Sequence, residues 1–221
     1  IPVAWAEAGE EVLDDATFGK LSVQRTTDEP KGVVLFAAGT GGWTAELTTV
    51  AKAVAKLDYV VASIDLNDYL TRLDRAGAAC ANPAADFDQL NRLMEQRYPI
   101  ATHQPPILLG YGAGAALTYA ALAQATADQV HAGVGVDFCP ELPLRKPLCK
   151  GAANLDSAAL PDSKGLLLKP TARMPTTWFV FQNRPACDTG AAAQFVQSIQ
   201  LARLADIPGV IALESWRSFN A

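Results

Sequence analysis

The chain has 221 residues, half of them hydrophobic, which suits one domain spanning residues 1–221 with a sizeable core. A net charge of -5 and a pI near 5.0 argue against nucleic acid as a partner, because phosphate backbones are held by clustered Lys and Arg. Apolar segments break at Gly, Pro or a charged residue within about a dozen positions, short of the roughly 18 a transmembrane segment needs.

In chain order, "KLSVQRT" (Lys20 to Thr26) alternates polar and apolar residues and predicts a half-buried strand. "GVVLFAAG" (Gly32 to Gly39) is continuously apolar, as a strand covered on both faces should be. An amphipathic helix is expected from Thr44 to Lys56, and "YVVASID" is the next strand, ending at Asp65. A loop containing Cys80 follows, then a helix from Asp86 to Tyr98 with Phe87, Leu90, Leu93 and Met94 on one face. "PILLGYG" and "GVGVDF" read as strands flanking an alanine-rich helix. A long loop, Cys139 to Pro175, leads to the strand "TTWFVFQ", a helix from Ala191 to Leu204 and a last strand, "GVIAL", from Gly209. Strands alternating with helices imply a mostly parallel sheet with helices on both faces, an α/β three-layer sandwich.

Ligands of open α/β sheets bind beyond the carboxyl ends of the strands, which draws attention to "AGTGGW", "GYGAGA" and "NRPACDTG". Gly110, Gly112 and Ala115 satisfy a GxGxxA phosphate loop, with Asp137 closing the next strand as a ribose ligand; that is the dinucleotide reading. Gly110, Gly112 and Gly114 are equally the frame of GxSxG, the strained strand-to-helix turn of a nucleophile elbow, with Tyr111 and Ala113 flanking a glycine where serine should stand. The upstream loop Gly39, Thr40, Gly41, Gly42 and Trp43 occupies the place of an oxyanion donor, and Asp188 that of a late-strand acid. No histidine follows His131. His103 and His131 both precede strands, and a five-residue strand separates that edge from the elbow by about 17 Å, so neither can act as its general base. Hydroxyls such as Thr40, Thr118 and Thr189 then have no histidine to activate them.

Basic residues concentrate between Arg145 and Arg173: Arg145, Lys146, Lys150, Lys164 and Lys169 precede it, against Asp156 and Asp162. An anionic head group would bind here if anywhere. Four cysteines, Cys80, Cys139, Cys149 and Cys187, never form CxxC, and no His, Asp and Cys cluster has metal-ligand spacing, so neither metal nor other cofactor is expected. A Cys139–Cys149 disulfide would close a short ring and contribute roughly 3 kcal/mol, although four cysteines allow three connectivities. Disulfides place the chain in an oxidising compartment, and "AWA" (Ala4 to Ala6) matches the tail of a leader cleavage site.

Together, "GTGGW", "LLGYGAGAALTYAAL" and "VDFCPELPLRKPLC" make the sequence from Val33 to Leu213 resemble the VirJ/AcvB family of bacterial periplasmic virulence-associated proteins, which are similar to α/β-hydrolases. The resemblance implies association with type IV secretion and hydrolysis of aminoacylated phosphatidylglycerol, chiefly the lysyl form, by members with an intact GxSxG. Carried onto this chain, it puts the nucleophile position at Gly112, the oxyanion loop at Gly39 through Trp43 and the acid at Asp188, with no histidine. It also implies a non-catalytic N-terminal domain whose partners are a catalytic domain of the same chain, lipid head groups or secretion components. Cys80 with Cys187 is then the remaining disulfide. An ester hydrolase without serine is the alternative.

Overall fold

The computed structural model describes residues 9–100, 102–161, 164–182 and 191–206. The apolar runs become the inner strands of an eight-stranded sheet: β1 (Gly9–Asp15), β2 (Gly19–Arg25), β3 (Gly32–Ala37), β4 (Tyr59–Ile64), β5 (Ile107–Tyr111), β6 (Ala132–Val136), β10 (Arg173–Gln182) and β11 (Gln200–Asp206). Their spatial order is β1-β2-β4-β3-β5-β6-β10-β11. β2 pairs antiparallel with β1 and β4, and from β4 to β11 all pairings are parallel.

Alternate residues of the central strands enter two cores. Val34, Phe36, Val61 and Leu109 face α1 (Ala45–Ala55), where Leu47, Val50, Ala51 and Ala55 are buried. On the other face, Val33, Leu35, Leu108, Trp178 and Val180 join the core that contains residues of α2 (Leu66–Arg75), α3 (Pro83–Arg97), α4 (Ala113–Gln124) and α5 (Ala191–Gln197). Every α4 residue from Gly114 to Gln124 is buried, which explains its alanine-rich, non-amphipathic sequence. Small residues let α4 approach the sheet: a Cβ on Gly133 of β6 would come within 2.2 Å of Leu122.

Several boundaries differ from the sequence reading. β1 is an acidic edge strand whose sequence GEEVLDD has no apolar alternation, although its burial alternates between exposed and half-buried, so nothing marked it. The segment expected to be a loop after Asp65 contains α2, capped by Asp65 and burying Leu66, Tyr69, Leu70 and Leu73. α3 begins at Pro83, with Asn82 as its cap, and leaves Leu93 39% exposed rather than on the buried face. The expected helix from Ala191 to Leu204 ends at Gln197, and β11 takes over at Gln200. "GVIAL" and Cys187, Asp188 and Thr189 lie outside the described residues.

The expected long loop after β6 is a folded excursion with its own sheet, in which β9 (Leu166–Leu168) pairs antiparallel with both β7 (Glu141–Leu142) and β8 (Ser157–Ala159). The Cys139–Cys149 and Cys80–Cys187 pairings are corrected here, because Cys149 is bonded to Cys80 with Cα atoms 5.1 Å apart. An isolated parallel bridge between Ala81 and Leu148 brings the two sulfurs together: Ala81 N donates to Pro147 O at 2.8 Å and Cys149 N to Ala81 O at 2.9 Å. Cys139 is also disulfide-bonded.

Candidate binding site at the carboxyl edge of the sheet

β5 runs into α4 through Gly112, whose φ of 57° and ψ of −121° are sparsely populated and costly for a residue with a side chain. The turn is held from both sides, by Gly112 N donating to Val136 O and Ala115 N to Gly112 O, each at 2.9 Å. Its neighbours must be glycine. A Cβ on Gly110 would stand 2.2 Å from Gly114 O, and one on Gly114 would stand 2.3 Å from the carbonyl oxygens of Ala37 and Ala38. At Gly112 a Cβ would meet only Gly39 Cα, at 3.9 Å. The backbone therefore makes a tight strand-to-helix turn with open space around the Gly112 Cα and no side chain in it.

The glycine loop after β3 lies beside this turn. Gly42, at φ 75°, donates its N–H to Gly39 O at 3.0 Å, closing Gly39–Gly42 into a tight turn. Thr40 is exposed, and its carbonyl accepts from Asn67 Nδ2 at 3.1 Å, tying the loop to α2. Trp43 turns toward α1 instead: its ring meets Phe36 edge-on at 5.0 Å and its Nε1 donates to Thr48 Oγ1 at 2.9 Å. The amides of Ala113 and Gly114, at the head of α4, have no preceding helical carbonyl to bond.

Neither histidine is brought to this edge. His103 Nδ1 lies 2.7 Å from Glu95 Oε2, before β5. His131 precedes β6, where its N–H donates to Pro106 O and its carbonyl accepts from Thr176 Oγ1. Both histidines therefore sit at the amino edge, as their sequence positions predict. Thr118 is buried within α4. Asp137 ends β6 at φ 50° with its N–H bonded to Phe181 O, and Ala115 is fully buried against the sheet. No group of three or more metal-ligating side chains occurs among the described residues.

A cavity of about 1080 Å³ opens beside Thr40 of the glycine loop, between α2 and the excursion after β6. Thr40 reaches it from the glycine loop, and Arg145, Lys146 and Lys164 line its far wall. Lys150 and Lys169, read from sequence as part of the same basic patch, do not line it. Lys169 Nζ pairs with Asp156 at 2.8 Å, and that hydrogen bond, above the other contributions, holds the Asp156 carboxyl below its usual range, with Lys150 adding a weaker attraction. The near wall belongs to residues the sequence reading missed, Asn67, Thr71 and Arg75 of α2. The available signal was an Asp cap at position 65 followed by apolar residues at 66, 69, 70 and 73, a helical spacing.

No protein-family model and no curated protein matches the sequence. Solved structures do. Est1E from Butyrivibrio proteoclasticus superposes with a TM-score of 0.56 at 12% identity, covering 96% of each chain. A dienelactone hydrolase from Anabaena variabilis gives 0.54 at 17% identity, covering 92% of this chain and 88% of that one. A thioesterase domain from the curacin biosynthetic pathway gives 0.54 at 12% identity, covering 97% and 99%. At these identities the likeness is one of architecture: the chain has the α/β-hydrolase fold.

Proposed function

We propose that this chain is a non-catalytic α/β-hydrolase-fold module that binds a ligand or partner on behalf of a catalytic domain. The observation that carries the reading is Gly112: the elbow keeps its left-handed turn and its open space but presents no nucleophile. With only two histidines in the sequence, both at the opposite edge, no hydroxyl near the turn among the described residues has a histidine to activate it. The finer assignment is a periplasmic VirJ/AcvB-like protein, this chain being its N-terminal domain and the following domain hydrolysing aminoacyl-phosphatidylglycerol in support of type IV secretion. The Cys80–Cys149 disulfide is compatible with that oxidising compartment.

The test is hydrolysis of lysyl-phosphatidylglycerol by the purified 221-residue chain beside a full-length two-domain protein at equal concentration. The reading requires no turnover by the chain alone and robust turnover by the longer protein, lost when the elbow serine of its second domain is replaced. Turnover by the isolated chain would establish a hydrolase without serine, and its nucleophile would then be sought at Thr40 and Thr118.

A further inference from the structure

We propose that the cavity between α2 and the turn Pro143–Pro147 is a binding site for a phosphoester, gripped by the guanidinium groups of Arg75 and Arg145. The inference rests on the chain being a binding module, and it adds the ligand class and the residues that select it.

Asn67, Thr71 and Arg75 recur every four positions and share one face of α2, and all three line the cavity. Arg145, Lys146 and Lys164 line the opposite wall, so among the described residues four cationic side chains and one carboxylate, that of Asp74, belong to the lining. That carboxylate is engaged elsewhere: its Oδ1 accepts the backbone N–H groups of Arg145 at 3.1 Å and Lys146 at 3.0 Å. Lys146 Nζ, for its part, donates to Ala76 O at 2.5 Å. Among the described residues no ion pair engages the guanidinium of Arg75 or of Arg145. In a chain with 23 acidic and 18 basic residues, two unpaired arginines beside one cavity make a local reversal of sign.

Guanidinium groups favour planar, two-point contact with oxyanions, and phosphate oxygens match that fork. Thr40 and Thr71 line the same space, and a threonine hydroxyl can supply a neutral donor for a further oxygen. A volume of about 1080 Å³ exceeds what a bare inorganic anion fills and reaches the upper range of small-molecule sites, which favours a phosphoester with a polar organic group. The walls are fixed before a ligand arrives, by Asp74 on the Arg145–Lys146 backbone and by the Cys80–Cys149 bond just beyond Ala79 and Pro147. Such preorganisation lowers the ordering cost of binding.

The same chemistry is offered by a soluble phosphoester and by a phospholipid head group, and two arms of one experiment separate them. Calorimetry of the chain with glycerol 3-phosphate and with inorganic phosphate forms the first. Co-sedimentation with phosphatidylglycerol vesicles, against phosphatidylcholine vesicles, forms the second. Binding in the first arm identifies a soluble-accessible site, and binding in the second alone identifies a head group presented by a surface. In whichever arm binds, Arg75→Ala and Arg145→Ala should each weaken it at least tenfold, whereas Arg72→Ala, which removes an outward pair with Asp68, should change it less than twofold. Arg75→Lys and Arg145→Lys should retain an intermediate affinity, and they replace the alanine variants if either of those lowers the melting temperature. The proposal is overturned if neither probe set binds, or if the arginine variants bind as the parent chain does. Lysyl-phosphatidylglycerol turnover is read separately, so failure of the non-catalytic reading leaves a different signature from failure of this site.

Discussion

Asp74, on α2, accepts the backbone N–H of Lys146 at a sequence separation of 72 residues, and the same oxygen takes the N–H of Arg145. One carboxylate therefore fixes the turn that carries two of the cavity's cations, while its negative charge opposes the ligand proposed for it. These two roles separate by mutation. Asp74→Asn keeps an acceptor oxygen and removes the charge, so phosphoester affinity should rise a few-fold. Asp74→Ala removes the acceptor as well and frees the turn, so affinity should fall, and calorimetry at matched ionic strength distinguishes the two. Equal affinities in both variants would show that the carboxylate acts only through its charge.

The disulfide should couple stability to the same site. Cys80 and Cys149 are 69 residues apart, and a closed loop of that size restricts the unfolded chain by an amount worth about 4 kcal/mol. Cys80→Ser with Cys149→Ser should lower the melting temperature on the order of 10 °C. Because the bond lies beside the turn carrying Arg145, phosphoester binding should also weaken below the new transition. A double variant that melts earlier yet binds unchanged would show that the Asp74 contacts alone hold the wall.

The inner strands and the glycine turn were legible in the sequence for a shared reason: burial on both faces leaves a continuous apolar run, and close approach of α4 leaves glycine at 110 and 114. β1 was not legible because its two rows, mostly exposed, show no apolar face to read. α2 was hidden by Asn67, Asp68, Thr71, Arg72, Asp74 and Arg75, which made a capped helix resemble a polar loop. The cysteine pairing was misread because short sequence spacing favoured Cys139 with Cys149, whereas the Ala81–Leu148 bridge, a long-range pairing, decides which sulfurs meet. For the candidate site, the Arg145–Lys146 half was visible as a charge cluster. Its Arg75 half lay on the unrecognised helix.

Two carboxylates should shape the pH dependence of stability with opposite signs. Glu11 accepts from the Arg97 guanidinium and from Tyr98 Oη at 2.9 Å; the Arg97 hydrogen bond foremost holds its carboxyl below the ordinary 4.5, with burial in opposition. A depressed folded value means the contribution is fully present above the unfolded value and is lost as pH falls through the folded one. Urea midpoints should therefore drop more between pH 5 and pH 2 in the parent chain than in Glu11→Gln. Asp86 differs. Burial raises its carboxyl above the ordinary 3.8, and the Tyr69 hydrogen bond at 2.7 Å offsets this only in part. Its ionisation costs stability as pH rises from 3.8 through the raised value, so Asp86→Asn, which keeps an acceptor for Tyr69, should remove that decline. A parent chain whose midpoint tracks both variants across this range would contradict the two assignments.

Restoring the missing hydroxyl separates the form of the elbow from its chemistry. The Cβ of Gly112→Ser would meet Gly39 Cα at 3.9 Å and nothing nearer beyond its chain neighbours, but the substitution forces a side chain to adopt φ 57° and ψ −121°. The strain should cost about 1–3 kcal/mol of stability, read as a lowered urea midpoint with an unchanged slope. Gly114→Ala should cost more, because its Cβ would come within 2.3 Å of two carbonyl oxygens of the sheet, which have little freedom to move. Neither stability loss should be repaid in activity. The serine would stand at the carboxyl edge while His103 and His131 remain at the other, so ester turnover by Gly112→Ser should stay at the parent chain's background. Hydrolysis appearing on that single substitution would mean that a base other than histidine already faces the elbow, and would make this chain a hydrolase one residue from activity.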